Sequence, residues 1–166
     1  PKFIYISTAA IVLRGKPVYD ADENLEIAGL PNGNYCKTKV LAEEIVKKNN
    51  SPEFETVIVR PPIVWGRGSV MKLLVEAVKE NKLAWFNNGE YKVPISHVKN
   101  LCHGIYLAYK NGKPGQMYYV IDNEHVIWKD FFTDVCATQG IEPPQKNMSR
   151  NMALALGHII PFVWKI

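Results

Sequence analysis

Long apolar runs are missing from this 166-residue chain. None approaches the roughly 18 residues that a membrane span needs, so no span is expected. No charged stretch followed by an apolar one opens it in the manner of a leader. Cysteine is scarce: Cys36, Cys102 and Cys136 are odd in number and show no CxxC and no metal-ligand spacing. Each falls in a helix-like segment, and they read as reduced core residues of a cytoplasmic protein. Also absent is any run of Lys and Arg interleaved with aromatics, and the net charge of +4 is mild; nucleic acid is not an expected partner. His103, His125 and His158 lack acidic or cysteine partners at ligand spacing, so no metal site is expected.

What is present is ordinary globular composition, 47% hydrophobic and 22% charged, enough to bury a substantial core. Pro1-Lys2 leads directly into Phe3-Ile4-Tyr5-Ile6 without a Met, so the first element is expected to be internal. The apolar segment Asn151 to Ile166 stops after Pro161 without a cap or polar tail, and the reading is of truncation at both ends.

Strand-length apolar runs alternate with helix-period segments, which predicts an α/β fold with a mainly parallel sheet. Strands are expected at 2–7, 55–60, 92–96 and 116–121; the second carries Thr56-Val57-Ile58-Val59, the continuous run of a strand covered on both faces. Helices are expected at 35–48, 69–80, 98–109 and 128–139. In the first, Val40, Leu41 and Ile45 share a face, and Glu43 and Glu44 precede Lys47 and Lys48 by four. In the second, Val70, Leu73, Leu74, Ala77 and Val78 recur behind an N-cap-type Ser69. Residues 12–34 are rich in Pro, Asn, Asp and Gly and too long for a simple connector, which marks a candidate functional loop.

Tyr35 and Lys39 stand four apart on the first helix, so both side chains project from one face. A phenol is a poor base at neutral pH. An ammonium ~4 Å away, at an effective dielectric of ~20, favours its anion by roughly 4 kcal/mol, about three pKa units. Such a tyrosine can exchange a proton with an alcohol. Spacing alone is weak evidence, because Tyr106/Lys110 and Tyr109/Lys113 repeat it. Those copies end an amphipathic helix, where a snorkelling Lys and a half-buried Tyr are the plain reading. Tyr35 differs in opening its helix after Pro31-Asn32-Gly33-Asn34 and in following a strand that ends Ser7-Thr8-Ala9-Ala10.

Strand, Ser-Thr-Ala, variable loop, Tyr35-Cys-Lys-Thr-Lys39, second strand and Arg60-Pro61-Pro62-Ile63-Val64-Trp65-Gly66 together resemble the extended short-chain dehydrogenase/reductase superfamily. Ser96-His97-Val98-Lys99-Asn100-Leu101 and the Gln116 to Asp122 stretch resemble its later elements. Pro-Pro-Ile-Val-Trp-Gly with the 137–144 segment leans towards the 3-beta-hydroxysteroid dehydrogenase-like branch rather than nucleotide-sugar epimerases. The resemblance implies part of a Rossmann-like parallel sheet with helices on both faces over 1–66. A small α/β, mainly substrate-binding region would follow over 67–166, with some elements returning to the main sheet. It implies NAD or NADP as cofactor, a small-molecule substrate, and a homodimer formed through the Tyr-bearing helix and its predecessor helix; the predecessor is missing here, so an exposed apolar face is expected.

Carried onto matching positions, it makes Tyr35 the general acid/base, with Lys39 lowering its pKa and bonding the nicotinamide ribose. Thr8 would hold the substrate oxygen. Ser7 is the alternative, since strand alternation turns the two hydroxyls to opposite faces; for either, a hydroxyl capping a turn is the plainer reading. Pro61, Pro62 and Ile63 would pass beside the nicotinamide, with a plain strand exit as the alternative. His97 is a substrate-side candidate, although a lone His at a strand-to-helix junction is more often a satisfied structural residue. Arg60 is read as structural. Gly66-Arg67-Gly68 fails the G-x-G-x-x-G fingerprint at Met71, so the Gly-rich nucleotide turn is absent from the chain.

The implied activity is interconversion of a secondary alcohol and a ketone; Trp65, Trp85, Phe86 and the apolar C-terminus suggest a hydrophobic or amphipathic substrate, and the resemblance implies a steroid-like or other hydrophobic one. Nucleotide-sugar epimerisation or dehydration on the same fold, and a non-catalytic fragment that cannot hold cofactor alone, are the competing readings.

Overall fold

Glu55–Arg60 forms the strand that its apolar run predicts, with Thr56 to Arg60 buried. In the computed structural model this strand, β2, lies between β1 (Lys2–Ile6) and β7 (Met117–Tyr119), parallel to both. Register is fixed from Lys2 opposite Glu55 to Ile6 opposite Val59, and from Ile58 opposite Met117 to Arg60 opposite Tyr119. The structure describes residues 1–13, 18, 21–25, 29, 31, 33–123, 125–149 and 151–152. The apolar end with His158, and much of the 12–34 loop, lie outside these.

The other elements are α1 (Asn34–Lys48), β3 (Ile63–Trp65), α2 (Ser69–Lys79), β4 (Trp85–Phe86), β5 (Lys92–Val93), β6 (Ile95–His97), α3 (Val98–Asn111), β8 (Val126–Ile127), α4 (Trp128–Thr138) and β9 (Asn147–Met148). They divide into two compact units: residues 1–66 with 94–123, and 67–93 with 124–166.

In the first unit, alternation along the strands sends side chains to two faces. Ile4, Ile6, Val57 and Val59 pack with Leu101, Ile105 and Ala108 of α3. Tyr5, Thr56 and Arg60 turn the other way, to α1: Lys39 sits over the Tyr5 ring, Thr56 Oγ1 donates to the Val46 carbonyl, and Arg60 meets Glu43. Helices therefore cover both faces of a parallel sheet, the expected α/β arrangement. Each of Val57, Ile58 and Val59 contributes about 1.5–3 kcal/mol by leaving water. α3 lies close enough that a Cβ on Gly104 would come within 2.7 Å of Val120. In the second unit Trp128 stacks on Phe132 at 5.4 Å, Trp85 meets Phe132 edge-on at 6.1 Å, and Cys136 is buried beside them.

Several expectations change. The 92–96 strand is two strands: β5 pairs antiparallel with β8, while β6 pairs parallel with β3. Pro94, which has no N–H to continue a ladder, separates them. On α1 only Val40 of the predicted apolar trio is buried; Leu41 and Ile45 are 46% and 63% exposed, because the helix turns Val40 and Glu43 inward to meet Arg60. Glu43 is thus a buried partner of Arg60 rather than a surface partner of Lys47. α2 buries Met71 and Val75 and leaves Val70 and Leu73 exposed, and Gly68, not Ser69, takes its N-cap position. Cys136 is a core residue, but Cys36 is half-buried and Cys102 exposed.

Candidate active site

The helix that carries Tyr35 starts where the backbone can turn sharply. Gly33 holds the N-cap position at φ 87°, a left-handed value that favours glycine, and α1 runs from Asn34. Tyr35 in its first turn is 59% exposed. One turn on, Lys39 bends back to the sheet: its ammonium donates to the Ile6 carbonyl at 2.8 Å and lies 5.1 Å from the centre of the Tyr5 ring. Cys36 adds a long contact from its Sγ to the Ala10 carbonyl, 3.8 Å. The first two turns of α1 are therefore pinned to the carboxyl end of β1.

That end of β1 carries both candidate hydroxyls. Ser7 continues the ladder, its N–H donating to the Val59 carbonyl, and its buried Oγ has no hydrogen-bond partner among the described residues. Thr8 Oγ1 accepts from Ala10 N–H at 3.2 Å and caps a 3-10 turn over Ala9–Val12. The turn-capping role foreseen as the plainer option is therefore present for Thr8. It uses one lone pair and leaves the hydroxyl proton free to donate. Ala9 N–H donates to the Pro61 carbonyl at 2.8 Å, so Pro61-Pro62-Ile63 runs directly beside the Ser-Thr segment. The start of α1 with Lys39, the Ser7-Thr8 strand end and the chain entering Pro61-Pro62 thus meet at one corner of the first unit.

His97 is engaged elsewhere in that unit. It is the N-cap of α3, with Nδ1 accepting from Lys99 N–H at 3.3 Å, which places any ring proton of the neutral form on Nε2. Its ring meets Trp65 edge-on at 4.6 Å. Its backbone N–H donates to both oxygens of Asp122, which also accepts from the Trp65 indole at 2.9 Å and the Asn100 amide at 2.7 Å. Burial pushes the Asp122 carboxyl up, but the Asn100, Trp65 and His97 donors outweigh it and hold it below the usual carboxylate range. Gly66 completes the cluster: at φ 118° it turns the chain out of β3, and a Cβ there would sit 3.0 Å from Val98.

Behind the corner, Arg60 and Glu43 form a bidentate pair at 2.9 and 2.6 Å, and the guanidinium also donates to the Tyr119 hydroxyl. Burial works against the guanidinium charge, but Glu43 more than restores it and its pKa is raised. Glu43 follows Lys39 by one turn and Arg60 precedes Pro61, so the pair ties the two halves of the corner together. Sequence reasoning missed Glu43 and Asp122. The available signal for Glu43 was an Arg inside an apolar strand, which needs a buried partner.

The tryptophans are not a substrate signal. Trp85 is a core residue and Trp65 is a hydrogen-bonded member of the Asp122 cluster, so neither is free to indicate a substrate. Among the described residues no helix is long and apolar enough to cross a membrane.

The chain is 32% identical over 166 residues to the 4-hydroxy-2-methyl-3-oxo-4-farnesyl-3,4-dihydroquinoline-1-oxide ketoreductase of Stigmatella aurantiaca, covering 99% of the chain and 50% of that protein. It is 28% identical to the decarboxylating sterol-4-alpha-carboxylate 3-dehydrogenase of Dictyostelium discoideum, covering 99% of the chain and 52% of that enzyme. It therefore spans about half the length of these curated relatives. UDP-glucuronic acid 4-epimerase from Bacillus cereus, solved with NAD, shares the fold with a TM-score of 0.71 at 22% identity, over 89% of this chain and 50% of that one. Residues 1–150 match the 3-beta hydroxysteroid dehydrogenase/isomerase family, and the chain belongs to that family.

Proposed function

We propose that this chain supplies the proton-transfer part of an NAD(P)-dependent oxidoreductase that interconverts a secondary alcohol and a ketone. The observation that carries the reading is the pinning of Lys39 to the Ile6 carbonyl at the end of the strand that runs into Ser7-Thr8, with Tyr35 one turn away on the same helix and exposed. Tyr35 would give or take the hydroxyl proton. Lys39 would supply positive charge beside its phenolate, and the free proton of Thr8 or the unpartnered Ser7 hydroxyl would hold the substrate oxygen.

The corner fits a nicotinamide cofactor on this chain's own features: an ammonium fixed at a strand end, a buried hydroxyl without a partner, and two prolines that bring no N–H donors needing satisfaction. When bound, NAD(P) supplies or accepts the hydride. Lys39 would face the ribose, and Pro62 and Ile63 would flank the ring. A hydrophobic, sterol-like substrate rests on the two curated relatives, whose names carry a farnesyl quinoline and a sterol. The unit of residues 67–93 and 124–166 would serve substrate binding. Exposed Leu41 and Ile45 on α1 support a homodimer through that helix, and the free thiols fit a reducing, cytoplasmic setting.

The test is Tyr35→Phe in the active protein, which removes the phenol proton while keeping the ring. Turnover of a secondary alcohol should fall by at least about a thousandfold, with the circular dichroism unchanged. Retained turnover overturns the assignment of Tyr35. Titration of NAD and NADP into the chain separates cofactor binding from catalysis, and saturable binding would rule out the non-catalytic reading.

A further inference from the structure

At the two other Tyr-x-x-x-Lys copies the rings are about half exposed, with a lysine lying along them, the form expected of them. Tyr106 and Tyr109 are 55% and 52% exposed, and the ammonium of Lys110 stands 5.9 and 5.8 Å from their ring centres. They belong to a larger pattern on α3. Lys99, His103, Tyr106 and Lys110 follow one another at steps of four, three and four, which places them on one helical stripe. Cys102 and Tyr109 flank the stripe on one side and Leu107, 42% exposed, on the other. Lys113 follows just beyond the helix end. The buried residues Leu101 and Ala108 lie on the opposite side of the helix, so the whole stripe faces away from the sheet. Its charge has one sign: no Asp or Glu occurs between Glu90 and Asp122.

We propose that this face of α3 docks on an anionic lipid surface. A tyrosine has an apolar ring and a polar tip, and two of them flanking a snorkelled lysine beside an exposed leucine suit the boundary between lipid headgroups and chains. The lysines supply attraction to anionic headgroups, which carry the complementary charge. The competing occupants fit less well. A second copy presenting the same face would set Lys99 and Lys110 against their own equivalents. A nucleic acid calls for a groove and for arginine forks, and the stripe is convex and holds no arginine. The inference does not depend on the catalytic reading, because no residue of the Tyr35 corner takes part.

Cosedimentation of the full chain with vesicles tests it. The chain should pellet with mixed phosphatidylcholine and phosphatidylserine vesicles, should remain in solution with phosphatidylcholine alone, and should be released by salt. Lys110→Glu combined with Lys99→Glu should weaken binding by at least about fivefold for each lysine. Tyr106→Ser with Tyr109→Ser should weaken binding without abolishing its salt dependence. Lys48→Glu on α1, an equal charge change elsewhere, should bind as the parent chain does. If the tyrosine pair variant loses helicity, the lysine variant carries the test alone. Failure to prefer phosphatidylserine, binding unaltered in the stripe variants, or displacement from vesicles by a single-stranded RNA bound more tightly would each overturn the proposal.

Discussion

Asp122 gathers three donors from two stretches distant from it in sequence: the His97 N–H and Asn100 amide from one, the Trp65 indole from the other. It fixes the start of α3 against the end of β3, and nothing near it in sequence announces the role. The Tyr35–Lys39 spacing can be read from sequence because it is local, four residues on one helix, whereas Asp122 depends on the fold to bring Trp65 to it. Removing it by Asp122→Ala should cost about 1–3 kcal/mol in urea unfolding at neutral pH, since the donors lose a charged acceptor. The folded carboxyl titrates below its ordinary value, so its stabilisation is present above the unfolded value of about 3.9 and fades as pH falls through the folded value. The difference between parent and variant should accordingly shrink in acid. A difference that stays constant from neutral pH down to about pH 2 would show that the carboxylate charge is not what holds the cluster.

At the scale of elements, β2 appears over the residues its apolar run marks, and α2, α3 and α4 begin where their periodicity begins. These signals are local and strong. What the pattern could not show was which way each helix faces. α1 turns a glutamate inward and two aliphatic residues outward because Arg60, from the middle of the sheet, claims that glutamate. Breaking the pair by Glu43→Gln or Arg60→Met should destabilise the first unit by about 3–5 kcal/mol, because each single change leaves an uncompensated buried charge or lost fork. Changing both to well-packed apolar residues should restore much of the loss. A thermal melt separates the cases, and a double variant as weak as the singles would show that packing, rather than the buried charge, sets the cost. The split of the 92–96 strand is a lesson of the same kind: β-branched and aromatic content predicts extended backbone on both sides of Pro94, but only the fold assigns β5 and β6 to different units.

For the whole molecule, the unsatisfied feature of α1 is its outer face. Leu41 and Ile45 are four apart and both exposed, on the helix that carries the Tyr35–Lys39 pair. Two aliphatic side chains on one helical stripe cost apolar surface in the monomer, and an isologous contact between two copies would remove that surface from water on both sides at once. The flanking Lys37, Lys48 and Glu44 are exposed and can stay hydrated at the rim of such a contact. A homodimer built this way predicts that Leu41→Glu with Ile45→Glu halves the mass measured by light scattering after gel filtration, while the helical circular dichroism and Lys39's anchorage to Ile6 persist. The same charges should leave vesicle binding through α3 unchanged, since the α1 and α3 faces lie on opposite sides of the sheet. An unaltered mass, whether monomeric or dimeric before the change, would refute α1 as the dimer contact.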